Sequence, residues 1–169
     1  LDLSRIESGR MSFSFQQYSL NELISTIYQT FQVLMPENVE LRMQIPEKSI
    51  SIPTDKFRLT QVITNFLSNA IKFTQKGYIL IGYEYREEGR HVHIFVEDTG
   101  IGIPKEKQDA VFNRFTKLDE FAKGTGLGLS ICKVIAERFD GDIAVESEIG
   151  KGSRFSIILP LNPKHTESD

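Results

Sequence analysis

Three short stretches carry residues whose types and spacing could do chemistry. The first, GTGLGLS at residues 124–130, puts glycine at alternate positions ahead of an amphipathic helical pattern. Glycine lets the backbone approach a ligand closely, and the free N–H groups and positive dipole end of the following helix favour a phosphate. The spacing matches neither a dinucleotide fingerprint nor a Walker A loop, because no Gly-Lys-Ser/Thr follows. The second stretch lies in TDKFRLTQVITNFLSNAIKFT, where Asn65 and Asn69 stand four residues apart, with Gln61 a turn before and Lys72 a turn after. Asparagine is a poor helix-interior residue, so the pair is either a solvated face or a source of oxygen ligands for a hard cation such as Mg²⁺, with Lys72 as a point charge for a phosphate. The third, EDTGIGIP, ends an apolar strand pattern on Asp98 and continues directly with Gly100 and Gly102. It reads as a turn-initiating Asp-Thr-Gly, or as a carboxylate that accepts hydrogen bonds from a ligand's amino group in a mostly apolar pocket.

The elements that must position these stretches follow from periodicity. LNELISTIYQTFQVL repeats its apolar residues at helical spacing up to Pro36, and VELRMQIP alternates as a strand stopped by Pro46. The asparagines ride on the strongest helix, with Thr54 expected as its N-cap and Leu59, Val62, Ile63, Phe66, Leu67, Ala70 and Ile71 on its apolar side. YILIGYEY and HVHIFVED form a hairpin around Gly89; KEKQDAVF is a short helix; NRFTKLDEFAKGT is irregular and charged. GLGLSICKVIAERF is a helix that buries Leu129, Val134 and Ile135, followed by the strands DIAVESE and SRFSIILPL joined through IGKG. Strands that come largely as hairpins, interleaved with helices, predict an α+β fold: a two-layer α/β sandwich whose mixed sheet is covered by helices on one face.

Composition sets the outer bounds. The 169 residues are enough for one buried core, and a net charge of −3 carries no nucleic-acid footprint. No apolar run approaches the roughly 20 residues that span a bilayer, and a single cysteine, Cys132, excludes an internal disulfide framework and fits a reducing, cytoplasmic setting. Cys132 falls in a helical apolar pattern and reads as a small core residue.

Together and in this order, NFLSNAIKFT, DTGIGI, FNRF and GTGLGLS resemble the N box, first glycine box, F box and second glycine box of histidine kinase ATP-binding domains. Those domains belong to the superfamily of the gyrase, heat-shock-90 chaperone and MutL ATPases. GKGSRFSIILP is similar to the family's closing hairpin, and the resemblance runs through residues 12–161. The opening LDLSRIESGR resembles the end of a helical dimerisation and histidine-phosphotransfer segment. The expected organisation is therefore residues 1–10 as the end of that segment, 11–161 as the catalytic domain and 162–169 as a polar tail.

The resemblance implies a Bergerat-type fold with ATP between the helical layer and a lid at Thr116–Lys123. Asn69 would coordinate Mg²⁺, Asn65 would support metal and phosphates, and Lys72 would contact phosphate. Asp98 would accept the adenine amino group, with Gly100 and Gly102 allowing close approach to the purine. Phe112 and Phe115 would pack the lid, and Gly124, Thr125, Gly126, Leu127 and Gly128 would offer backbone N–H groups to the phosphates. Arg114 and Lys117 would reach toward the γ-phosphate. Lys123 stands where a further glycine is frequent in the second glycine box, which bears on lid mobility.

Hydrolysing members of the superfamily place a glutamate base where this chain has Asn65. An amide cannot take a proton from water, so phosphoryl transfer to another nucleophile is expected in place of fast hydrolysis. The nucleophile would be a histidine on an exposed helix. His91 and His93 share one side of a strand and His165 is in the polar tail, so the acceptor is expected before Leu1. The implied partners are the dimerisation and histidine-phosphotransfer helices and a response-regulator receiver domain, with this stretch monomeric alone and the full-length protein a homodimer. A scaffold that has lost transfer activity and a free-standing serine kinase of the anti-sigma-factor type are the competing readings. Intact Asn69 and Asp98 argue against the first, and LDLSRIESGR against the second.

Overall fold

Two β-patterned runs meet as the central hairpin of the sheet. In the computed structural model, which describes residues 12–86, 90–112 and 128–162, β4 (Gly77–Arg86) pairs antiparallel with β5 (His91–Asp98), from Ile79 opposite Asp98 to Arg86 opposite His91. β5 pairs on its other side with β7 (Gly152–Pro160), and β7 with β6 (Asp142–Glu148), both antiparallel. β2 (Val39–Gln44) joins the far side of β4 in parallel, so the order is β2-β4-β5-β7-β6 and the sheet is mixed. β1 (Gln16–Ser19) and β3 (Ser51–Thr54) form a separate two-stranded ribbon. β3 goes unread in the sequence because Pro53 interrupts a very short run, and proline is tolerated only where no ladder N–H is needed.

Alternation along the strands gives the sheet two unlike faces. Ile79, Ile81 and Tyr83 of β4, Val92, Ile94 and Val96 of β5, and Phe155, Ile157 and Leu159 of β7 all point to one side and are buried. That side is covered by α1 (Leu20–Gln32), α2 (Lys56–Phe73) and α4 (Gly128–Arg138). The two-layer α+β sandwich expected from the strand and helix patterns is therefore present. α2 is the central helix, and Leu59, Val62, Ile63, Phe66, Leu67 and Ala70 are all buried; each of the larger ones contributes about 1.5–3 kcal/mol relative to exposure. α4 buries Leu129, Cys132, Ile135 and Ala136, whereas Val134 is only half-buried. The short helix α3 spans Lys105–Gln108 and stops before Asp109–Phe112. There the Ala110 N–H bonds back to the Lys107 carbonyl, a tight turn in place of a further helical one.

The start of α2 corrects one expectation. Asp55 is the N-cap, not Thr54: Asp55 Oδ1 accepts the N–H groups of Phe57 and Arg58, and Oδ2 accepts that of Ser14. Thr54 closes β3, its buried hydroxyl has no partner among the described residues, and a carboxylate serves two orphan donors where a hydroxyl would serve one. Asp55→Ala is expected to lower stability by about 1–2 kcal/mol, and Thr54→Val to change it little, by urea unfolding monitored by circular dichroism.

Candidate active site

Asp98 is the last residue of β5, opposite Ile79 on one neighbour and Ser153 on the other. Ending an apolar central strand there leaves a carboxylate only 7% exposed at the edge of the core. Its Oδ1 accepts the N–H of Gly100 at 2.9 Å and that of Ser153 at 3.3 Å, which fixes the plane of the carboxylate. Among the described residues Oδ2 receives no hydrogen bond. Burial pushes the carboxyl above the usual carboxylate range, against the N–H groups of Gly100 and Ser153 that favour its charge; Glu97 adds to the rise.

Asp98 opens into a cavity of about 360 Å³, counted to include its mouth, that runs between α2 and the segment after β5. Asn69 and Phe73 of α2, Ile101, Gly102, Ile103 and Pro104, and Ser153 and Phe155 of β7 complete the lining. The cavity is mostly apolar, with phenylalanine rings and one oriented carboxylate, the composition expected of a site for a flat heteroaromatic base. Behind it, the ring of Phe155 packs on Phe66 with centroids 5.5 Å apart, and Phe112 meets Phe155 edge-on at 6.1 Å. Gly102, at φ +77°, lets the chain pass against the Glu148 carbonyl of the β6–β7 hairpin; a Cβ there would overlap that oxygen. Gly100 gives its N–H to Asp98, and a Cβ there would overlap the Phe73 carbonyl at the end of α2.

The asparagines of α2 have unlike surroundings. Asn69 faces the cavity, half-buried. Asn65, one turn earlier, donates from Nδ2 to the carbonyl of Gly128 at 3.2 Å and to Cys132 Sγ at 3.6 Å, tying α2 to the first turn of α4. Both bonds use the Asn65 amide nitrogen, and among the described residues its amide oxygen takes no part in holding the helices together. Cys132 is wholly buried, and its thiol is pushed up to about 12 by desolvation, so it is a packing residue and no nucleophile. Lys72 is exposed in the last turn of α2 and does not line the cavity. Arg114, Phe115, Lys117, Gly124, Thr125, Gly126, Leu127 and the stretch Thr116–Lys123 lie outside the described residues. Ser153, Phe73 and Phe155 line the cavity without having been singled out in the sequence. Ser153 could have been found only through its register, since it stands opposite Asp98 in the ladder.

The pattern described as "Histidine kinase-, DNA gyrase B-, and HSP90-like ATPase" matches residues 54–163. The chain belongs to this ATPase family. Within it, the chain is similar to sensor histidine kinases. The chain is 37% identical over 172 residues to the sensor histidine kinase RcsC of Escherichia coli K12, covering 95% of this chain and 17% of RcsC. It is 33% identical over 172 residues to the sensor histidine kinase WalK of Bacillus subtilis, covering 99% of this chain and 28% of WalK. It thus spans less than a third of the length of either relative. Among solved structures, the nucleotide-free catalytic domain of the histidine kinase ThkA superposes with a TM-score of 0.79 at 31% identity, over 90% of this chain and 99% of that one. Full-length ShkA, solved in complex with AMPPNP, superposes with a TM-score of 0.87 at 26% identity, over 96% of this chain and 34% of ShkA. The fold described above is that of a histidine kinase catalytic domain, and the nucleotide of such an ATPase fold is ATP. Among the described residues, no helix is long and apolar enough to cross a membrane.

Proposed function

We propose that this chain binds Mg²⁺-ATP with the adenine in the Asp98 cavity and donates the γ-phosphoryl group to a histidine. That histidine would lie on a helical dimerisation and phosphotransfer segment of the same protein, on the cytoplasmic side. The observation that carries this reading is the Asp98 carboxylate: one oxygen is held by two backbone N–H groups, the other accepts no hydrogen bond among the described residues, and the side chain lines a mostly apolar cavity. An exocyclic amino group can donate to that second oxygen. Phe73 and Phe155 supply the apolar contact surface for the base.

The residues along α2 fit a hard cation and phosphates. Asn69 offers an amide oxygen at the cavity, and the Asn65 amide oxygen is left over by its bonds to α4. When bound, Mg²⁺ would neutralise charge on the phosphates. Lys72 would add a positive charge at the end of the same helix. The N–H groups of Gly124, Thr125, Gly126, Leu127 and Gly128 would donate to phosphate oxygens, with Arg114 and Lys117 approaching the γ-phosphate and Phe115 packing the segment between. In the transfer, the bond from the γ-phosphorus to the bridging oxygen of ADP breaks as a phosphorus–nitrogen bond forms. The imidazole proton would pass to a carboxylate beside the acceptor. Asn65 offers no base for water, so transfer outruns hydrolysis. A receiver domain of a response regulator would take the phosphoryl group next.

The test is γ-labelled ATP with Mg²⁺, supplied to this domain together with the protein's histidine-bearing helical segment. Acid-labile label on that segment, dependent on this domain, is the expected result. Release of inorganic phosphate with no label on the segment would overturn the transfer.

Asp98 also sets a pH dependence. Accepting from the amino group needs the ionised carboxylate, so ATP affinity is expected to fall as pH drops through its raised pKa, earlier than an ordinary aspartate would impose. The free protein moves the opposite way. A folded-state pKa above the unfolded value contributes stability that is fully present below the unfolded pKa and is lost as pH rises through the folded one. Calorimetric ATP titrations and nucleotide-free melts over the same acidic range should therefore diverge in sign.

A further inference from the structure

Three polar side chains stand in one row across the sheet. Ser153 of β7 is the register partner of Asp98 on one side and of Ser147 of β6 on the other, so all three project from the helix-covered face. Asp98 and Ser153 line the base cavity, and Ser147 stands one strand behind it.

Ser147 makes three hydrogen bonds. Its Oγ accepts the N–H of Ile103 at 2.7 Å, donates to the carbonyl of Gly152 at 2.9 Å, and lies 2.7 Å from Ser153 Oγ. A hydroxyl has one proton and two acceptor positions. The Gly152 carbonyl can only accept, so it takes the Ser147 proton. The amide of Ile103 can only donate, so it takes one Ser147 lone pair. The contact with Ser153 is then satisfied in one sense alone: Ser153 donates to Ser147. Gln108 fastens this arrangement, giving Nε2 to the carbonyls of Ile103 at 2.9 Å and Ser147 at 3.0 Å.

We propose that Ser147, without touching the nucleotide, is a positioning residue for base selectivity: by taking the Ser153 proton it leaves Ser153 Oγ, like Asp98 Oδ2, an acceptor toward the base. Such a cavity takes a 6-amino purine and rejects a 6-oxo purine, whose carbonyl oxygen would meet lone pairs on both neighbours. Unpaired polar groups of this kind are the strong source of discrimination between near-isosteric ligands. The inference rests on the adenine reading of the cavity and extends it to a residue outside the cavity wall.

The experiment compares ATP with inosine triphosphate, which carries a carbonyl where ATP carries the amino group, by calorimetry with Mg²⁺ at pH 8. Wild type is expected to prefer ATP strongly. In Ser147→Ala the Ser153 hydroxyl is free to turn its proton toward the base, and the preference for ATP over inosine triphosphate should fall about tenfold. Ser147→Thr, which keeps the hydroxyl, should restore it. A general loosening would weaken both ligands alike and leave the ratio unmoved. An unchanged ratio in a Ser147→Ala protein that still binds ATP overturns the proposal while the adenine reading stands. Failure of wild type to bind ATP overturns the reading itself, and the proposal with it. Should Ser147→Ala not fold, Ser153→Ala decides. Its loss should be severalfold for ATP and absent for purine riboside triphosphate, which has no 6-substituent; equal losses for both overturn the proposal.

Discussion

Asp98→Asn is expected to cost about a hundredfold in ATP affinity while leaving the domain folded. The substitution keeps an oxygen where Gly100 and Ser153 deliver their N–H groups, so the turn after β5 and the β5–β7 edge lose no acceptor. It replaces the second oxygen with an NH₂ group, which meets the amino group of adenine donor to donor. Asp98→Ala should show a similar affinity loss with an added stability cost of about 1–3 kcal/mol, because two N–H groups at a buried position lose their acceptor. Titration of a fluorescent ATP analogue, with thermal melts of the same samples, separates the two effects. Asp98→Asn binding ATP like wild type would remove Asp98 from the adenine site.

The second large effect is on stability and comes from the β6–β7 hairpin. Gly150 and Gly152 both have positive φ, +82° and +119°, and sequence gives no ground for ranking them. A Cβ at Gly150 meets no heavy atom within 4 Å, whereas one at Gly152 overlaps the backbone carbonyl of Asp98. Gly150→Ala should therefore carry only the conformational penalty, about 1–2 kcal/mol. Gly152→Ala adds a backbone collision that no rotamer can relieve, and about 3–5 kcal/mol is expected. The collision displaces Asp98 itself, so ATP affinity should fall in Gly152→Ala and persist in Gly150→Ala. Chemical denaturation of the pair with a nucleotide titration checks both statements. Equal destabilisation by the two would mean that the hairpin yields at Gly152.

Most of the fold was legible from periodicity. The central helix announces itself through Leu59, Val62, Ile63, Phe66, Leu67 and Ala70, all of which are buried, and the β4–β5 hairpin through two alternating runs. The misreadings share a cause. β3 is four residues containing a proline, Thr54 lost the cap to its neighbour Asp55, and α3 stops short because its C-terminal turn tightens. In each case a local preference is small, and a non-local partner (β1, Ser14, the Ser147 carbonyl that Gln108 reaches) decides among near-equal options.

By itself the sequence determined which residue types were available for phosphate, metal and base, the order in which they occur, and the layered fold that could carry them. These are properties of neighbours along the chain: period, capping, glycine spacing, and a carboxylate at the end of an apolar strand. Only the tertiary structure decided that Asp98 lines a cavity with one oxygen already engaged, that Asn65 braces α4 while Asn69 faces that cavity, and that Ser147 and Ser153 stand in line with Asp98. Hydrogen-bond direction and strand register join residues some 50 positions apart, Asp98 and Ser153 among them at a separation of 55. No periodicity within a single element carries that information, because it is set when the strands pair and each buried donor must find its acceptor.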